Sequence, residues 1–487
     1  MTETLYGSLT TPRPLRAAEP KGRPYLCLSE RHLQALWLEQ KYFHSLKTAG
    51  GQPLEVLSPG MWNAEAGPDF LKAHIKIGVR EYRGDIEIHL NDNEWQQHHH
   101  DTDSRYNQVV LHVSMWRPEA PKPIVTQNGR VVMQMYLTES LVEPEHRILQ
   151  LIDLDLYPYR HFVGSGRCAH DLFQHASQDG LQLFFNQAAD WRLIQKRSFL
   201  ASYCIDTHSQ MLLGMTMALG YKKNTKAFLS LFLYLQKLPS RTESEWLALM
   251  LSICGYFSST YQEKWASSSA YMDLLNLAKT LPPHPQLELE TQHTRPLNQP
   301  LRRLVILAKM LSDHQLTQLW TRVLAQWTEV WPTIRDKRSA SQALQLLLSL
   351  LPHYTDAYWN HHYNFEVRVH EVFVPLMGDN IKREMFINTF LPLLRATIAD
   401  ASPEKEALHI LYSSIPASSS SKSRYLVHRF FGDNEEKGGL LDLAIAEQGA
   451  FQIHRDFCLH FEASCVGCPF VERIKSHPAT FALFNKK

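Results

Sequence analysis

The hydrophobic spacing changes period near Leu181, and that change divides the chain. Before it lie short runs with alternating apolar positions, namely Leu54–Leu57, Ala73–Ile77, Asp85–Leu90, Val109–Met115, Ile124–Gln127 and Val131–Leu137, separated by Gly, Pro and Asn-Asp turn signals. A period of two is the signature of strands, so these runs predict a sheet of about five or six strands. Ahead of them Ser29 is placed to cap a helix through about Thr48, because Leu33, Leu36, Trp37, Tyr42 and Phe43 fall near helical spacing. Beyond Leu181 the spacing is helical, as in Leu181–Tyr203, Gln210–Leu219, Lys226–Gln236, Glu243–Phe257, Leu301–Leu311, Gln315–Trp331 and Ala340–Leu351. The expected class is α+β: an N-terminal mixed β-sheet module, a large all-helical region, and a short Cys-rich tail. With 487 residues the chain exceeds one ordinary core. The divisions expected are 1–160, 161–435 and 436–487, with Pro282, Pro283 and Pro285 marking a connector inside the helical part.

Fifty basic and 49 acidic side chains leave a net charge of +1, so no global field draws the chain to a polyanion. No run reaches the ~18 apolar residues needed to span a bilayer, and no signal-peptide order opens the chain. A cytoplasmic protein without a membrane partner is the expectation. The 25 His residues stand out, and six of them lie between His74 and His112 inclusive.

In Asp85-Ile86-Glu87-Ile88-His89-Leu90, strand alternation places Asp85, Glu87 and His89 on one face. A solvated face would show the same pattern. Asp69, after Pro68, is close enough in sequence for one hairpin to bring it to Glu87, and two such carboxylates repel unless a cation such as Mg²⁺ or Mn²⁺ lies between them. The following segment, Trp95 to Asp103, offers His98, His100 and Asp103 as a second set of ligands for zinc, iron or manganese. His112 lies within a strand, where a hydrogen-bonded buried imidazole is the ordinary reading.

Pro68-Asp69 followed by Glu87-Ile88-His89 resembles the PD-(D/E)xK nuclease superfamily, with His89 where that superfamily has Lys. The resemblance implies a restriction-endonuclease-like sheet and a divalent-metal-dependent nuclease acting on DNA or RNA. In it Asp69 and Glu87 would hold Mg²⁺ or Mn²⁺, and His89 would act as base or orient water. Asn63, Asp85, His98, His100, Asp103 and His112 would face substrate or support the ligands. Lys72 or Lys76 is a candidate for the missing lysine. Over a wider span, Gly67-Pro68-Asp69-Phe70, Gly84 to His89, Trp95, Tyr106-Asn107, Leu219-Gly220-Tyr221, the Arg295-Pro296-x-Asn298 motif and the terminal Cys residues are similar to a bacterial family known only as a domain of unknown function.

Cys458-x6-Cys465-x2-Cys468 gathers three of the seven cysteines, a zinc-type signal whose fourth ligand would be His460 or His454. The spacing also resembles the iron–sulfur loop of endonuclease-III-type glycosylases, with Ile474 at the place of the fourth Cys. The other thiols, Cys168 among them, read as dispersed and buried. Two further functional readings stay open: a non-catalytic scaffold for nucleic acid or protein on a degenerate nuclease fold, and another His/Asp metal hydrolase. Basic clusters such as Arg192, Lys196 and Arg197 are solvated helix faces, or phosphate contacts if the nuclease reading holds.

Overall fold

In a computed structural model the described residues are 5–10, 28–63, 67–144, 148, 152, 154, 165–291, 299–366, 373–418, 420–460, 465 and 468–478. Residues 295–298 of the Arg-Pro motif lie outside them, as does the side chain of His460. The fold is α+β, a mixed sheet followed by a large helical region. Two compact units form, a sheet unit drawn from residues 3–184, 419–439 and 450–487, and a helical unit from 185–418 and 440–449.

The sheet unit opens with α1 (Leu5–Thr10) and α2 (Glu30–Glu39). Ser29 precedes α2 in extended conformation, and its N–H donates to His32 Nδ1 at 3.1 Å. The helix ends nine residues short of the expected Thr48. Gln40 turns left-handed at φ 51°, and Phe43 and Lys47 are taken up by bridges to Leu141 and Pro53. The strands are β1 (Leu54–Ser58), β2 (Met61–Trp62), β3 (Phe70–Ile77), β4 (Arg80–His89), β5 (Val109–Ser114), β6 (Ile124–Val125) and β7 (Val131–Tyr136). Between β4 and β5 lies the short helix α3 (Glu94–Gln97). The order is β1-β3-β4-β5-β7-β6, with β2 also paired to β3.

Hairpin pairing of β3 with β4 is antiparallel, whereas β4–β5 and β5–β7 are parallel. A parallel pair needs a crossover, and residues 90–108 supply one. Every residue of β5 is buried, His112 and Ser114 included, as expected for a strand covered on both faces. Ile86, Ile88, Leu111 and Val113 pack with Leu33, Leu36 and Trp37 of α2 into one apolar core.

Two bulges flank β4. One sets Leu71 and Lys72 of β3 against the single Asp85 of β4, with Lys72 at φ 57°, and the other makes Val110 the extra residue of β5. Gly84 permits the second, because a Cβ there would stand 2.3 Å from Val110 Cγ1. β4 itself runs through without interruption, so the alternation of Asp85, Glu87 and His89 is kept.

In the helical unit the expected stretches form as Gln178–Tyr203, Thr207–Leu219, Tyr221–Leu235, Glu243–Ile253, Pro300–Ser312, Leu319–Val330 and Lys337–Ser349, the first of these beginning in the sheet unit. Three of their basic residues bond within the unit. Arg192 Nε donates to Gln448 at 2.9 Å, and Lys196 Nζ bonds Asn388 and Gln448. Arg302, 1% exposed, donates to the carbonyls of Trp359, His362, Val374 and Pro375. These contacts engage Arg192, Lys196 and Arg302 within the unit. Among the described residues no helix is long and apolar enough to cross a membrane.

Candidate metal centre

The site forms where β3 begins and β4 ends. Antiparallel pairing sets Phe70 opposite Ile86, which brings Asp69 to Glu87. The Asp69 N–H donates to Glu87 Oε2 at 3.1 Å, and Asp69 Oδ2 accepts the Ile88 N–H at 2.9 Å. Asn63 fixes this turn from outside: its N–H donates to the Asp69 carbonyl at 2.7 Å and its Nδ2 to the Pro68 carbonyl at 2.9 Å. Asp85 is spent on the bulge, accepting the Lys72 N–H at 3.0 Å.

From Glu87 the site runs into a cluster of imidazoles. Glu87 Oε1 lies 3.3 Å from His89 Nε2 and 3.2 Å from His100 Nε2. His98, on the exposed rim, completes a trio with His89 and His100 whose ligand atoms all lie within 4.8 Å of one another. His100 is held by stacking on Tyr106 at 3.8 Å and by the edge of Trp95 at 5.5 Å. Asp103, expected beside His98 and His100, instead caps the turn Ser104–Gln108 and pairs with Arg105.

Parallel register carries the network into β5, where His112 lies opposite Glu87. His89 Nδ1 and His112 Nε2 share a hydrogen bond of 2.8 Å, and His112 Nδ1 faces Asp92 Oδ1 at 3.5 Å. Asp92 in turn accepts from Ser114, Gln134 and Tyr136. Two tautomer sets satisfy the bond between the rings, and the one that puts the His112 proton on Nδ1, facing Asp92, makes its Nε2 the acceptor. In that set His89 donates through Nδ1 and turns the lone pair of its Nε2 towards Glu87, whereas in the other set Nε2 carries the proton towards Glu87. His89 Nε2 and His112 Nδ1 are both buried without a hydrogen-bond partner.

The electrostatics agree with neutral rings. Burial, with the neighbouring His112, His100 and His98, pushes His89 well below the usual imidazole value, and burial first and His98 second bring His100 down to about 4. Burial opposes ionisation of Asp92, but the bonds from His112, Ser114 and Tyr136 prevail and hold it below the carboxylate range.

Two residues of α2 join the site that the sequence did not single out. Gln34 Nε2 donates to Asp69 Oδ1 at 2.7 Å, and Glu30 Oε1 stands 3.8 Å from His89 Nε2. Burial, then the charges of Asp69 and Glu94, raise Glu30 well above its normal value. The one available signal was their spacing of four on a helix that starts at Ser29. Neither candidate lysine is placed to replace His89. Lys72 is exposed at the bulge, and Lys76 stands between Glu55 and Glu81 in register, seven residues along β3 from Asp69, or roughly 23 Å at strand rise.

The residues fit a cation. Carboxylates crowd together at Glu30, Asp69 and Glu87, and the buried Nε2 of His89 faces a Glu87 oxygen without a hydrogen bond. The mixed nitrogen and oxygen donors suit Mn²⁺ or Zn²⁺ better than Mg²⁺, which prefers oxygen alone. Away from this centre, the thiols of Cys458, Cys465 and Cys468 gather with that of Cys168 in the same unit.

No curated protein and no solved structure matches the chain. The wider similarity read from the sequence holds as far as residue 421; it takes in every residue of the metal centre and stops short of Cys458. Over residues 30–421 the sequence matches the family described as Protein of unknown function (DUF2851), and the chain belongs to that family.

Proposed function

We propose that the sheet unit is a divalent-metal-dependent hydrolase of phosphodiester bonds, with DNA or RNA as substrate, on a restriction-endonuclease-like sheet. The reading rests chiefly on the unpartnered Nε2 of His89, which meets Glu87 Oε1 at 3.3 Å beside His100 Nε2. A buried imidazole nitrogen and a carboxylate oxygen left without a hydrogen bond between them are costly, and a cation held by both would satisfy them. The placement of Asp69 at the start of one strand and Glu87-x-His89 at the end of its antiparallel neighbour supports the nuclease form of the reading.

Glu87, His89, His98 and His100 would hold the metal, with Asp69 and Glu30 adding charge at its edge. Bound there, the metal would polarise a phosphate and lower the pKa of a water. The chain's own groups supply the rest. Asp92 and His112 keep the His89 proton on Nδ1, so that Nε2 stays a donor of its lone pair. Gln34 and the Ile88 N–H fix the Asp69 carboxylate, and Trp95 and Tyr106 fix His100 and exclude water from its ring.

The test is cleavage of single- and double-stranded DNA and RNA by purified protein with Mn²⁺, Zn²⁺ or Mg²⁺, beside Asp69→Asn and Glu87→Gln. Expected is Mn²⁺- or Zn²⁺-dependent cleavage that both substitutions reduce at least ~100-fold with circular dichroism unchanged. Cleavage that survives both substitutions, or tight metal binding without cleavage of any of these substrates, defeats the reading; the second result favours a binding scaffold.

A further inference from the structure

We propose that Cys168, Cys458, Cys465 and Cys468 hold a [4Fe–4S] cluster that ties two distant segments of the sheet unit together. The four thiols line one cavity. Cys168, which reads as a dispersed thiol in sequence, supplies the fourth ligand in place of His460 or His454. His454 is buried instead, with its ring edge-on to Tyr425 at 6.0 Å.

Spacing separates a cluster from a single zinc ion. Four thiolates at about 2.3 Å from zinc stand roughly 3.8 Å from one another. Among the described residues, the group of three or more ligand side chains with all ligand atoms within 4.8 Å is the histidine trio, so no three of these sulfurs come that close. A cubane places iron and sulfide between its thiolates and needs the wider set.

The surroundings suit a buried anionic cluster. Arg429, 2% exposed, donates through Nη2 to Cys465 Sγ at 2.7 Å. Phe430, Phe457 and Phe470 close the cavity with apolar surface. Gly166 lets the Cys168 segment approach, since a Cβ there would stand 3.1 Å from Arg429 and 3.3 Å from Cys168 Sγ. As each Sγ–Fe bond forms, the thiol proton is released to solvent. Four thiolates on a [4Fe–4S]²⁺ core leave a net charge of about −2, which the Arg429 guanidinium partly offsets.

The tie has a structural purpose. Leu459, next to Cys458, is 1% exposed in the core of the sheet, and segment Cys458–His460 packs against α2. The cluster would thus brace the helix that presents Glu30 and Gln34, independently of what the histidine site binds.

The experiment is metal and acid-labile sulfide analysis of full-length protein purified without oxygen from iron-supplied cells, with Mössbauer spectra of the iron-labelled protein. About four iron and four sulfide per chain are expected, with the spectrum of a cubane. Cys168→Ser should lose most of the iron, while Cys254→Ser, at a buried thiol of the helical unit, should keep it. One zinc per chain without iron, a metal-free tail, or full iron content in Cys168→Ser overturns the proposal. The Mössbauer result on the unsubstituted chain decides the matter even if the Ser variants misfold.

Discussion

Acidification from about pH 7 to about pH 5 should loosen the ends of β4 and β5 through the neutral histidines. His100 titrates near 4 in the folded chain against an ordinary value of 6.5. Its folded pKa is depressed, so the folded state binds fewer protons than the unfolded one in this window. Stability is therefore full above about pH 6.5 and is lost progressively as the pH falls towards 4. By pH 5 the loss from His100 alone is about 1–2 kcal/mol, the lower end allowing for the nearby Glu87 carboxylate, which favours the charged ring. Glu30, whose pKa is raised, acts in the opposite sense, because protonation then favours the folded state as the pH falls. Comparing the chain with His100→Phe, which keeps an aromatic ring on Tyr106, cancels the Glu30 contribution. Hydrogen exchange of peptides from β4 and β5, in chelator and corrected for intrinsic rates, is the assay. The parent chain should lose about 5- to 30-fold more protection than His100→Phe between the two pH values. Equal losses in the two proteins would refute the claim that His100 is held neutral.

Asp92→Asn removes the anion that sets the histidine tautomers, and should weaken Mn²⁺ or Zn²⁺ binding by about 10- to 100-fold in calorimetric titration, while His89 and Glu87 remain in place. Gly84→Ala forces a Cβ against Val110 Cγ1 at 2.3 Å and the Gln108 carbonyl at 2.6 Å, and should cost about 1–3 kcal/mol in denaturant unfolding of the sheet unit; an unchanged midpoint would mean that the bulge is free to move. Arg302→Met strands the carbonyls of Trp359, His362, Val374 and Pro375, and should destabilise the helical unit by about 3 kcal/mol or more, seen as a lower melting temperature by circular dichroism.

Much of the sheet was legible because strand alternation is local: Leu54, Ile75, Ile86 and Val132 all mark strands found in the structure. The stop of α2 at Glu39 was not, since Tyr42 and Phe43 continue the apolar spacing and only bridges from distant residues draw them out of a helix. The meeting of Asp69 and Glu87 followed from a single hairpin. Glu30 and Asp92 reach the site through packing against α2 and through the β4–β5 crossover, which leave no spacing rule in the sequence. Cys168 is the extreme case. Its partners begin at Cys458, and nothing between them signals that the two segments meet.

The discontinuous make-up of the sheet unit also sets an order on its synthesis. The Tyr6 hydroxyl donates to Asp456 at 3.0 Å, Arg473 donates to the Leu9 carbonyl at 2.5 Å, and Leu459 fills the core beneath α2. All of these partners leave the ribosome after the whole helical unit has emerged. Domains tend to fold as they appear, first-made first, yet here earlier-made strands wait for a later-made segment. A nascent or prematurely terminated chain would carry Asp69, Glu87 and the histidines without the brace that holds Glu30 and Gln34 over them. Its candidate metal centre would be completed only once translation has passed residue 473.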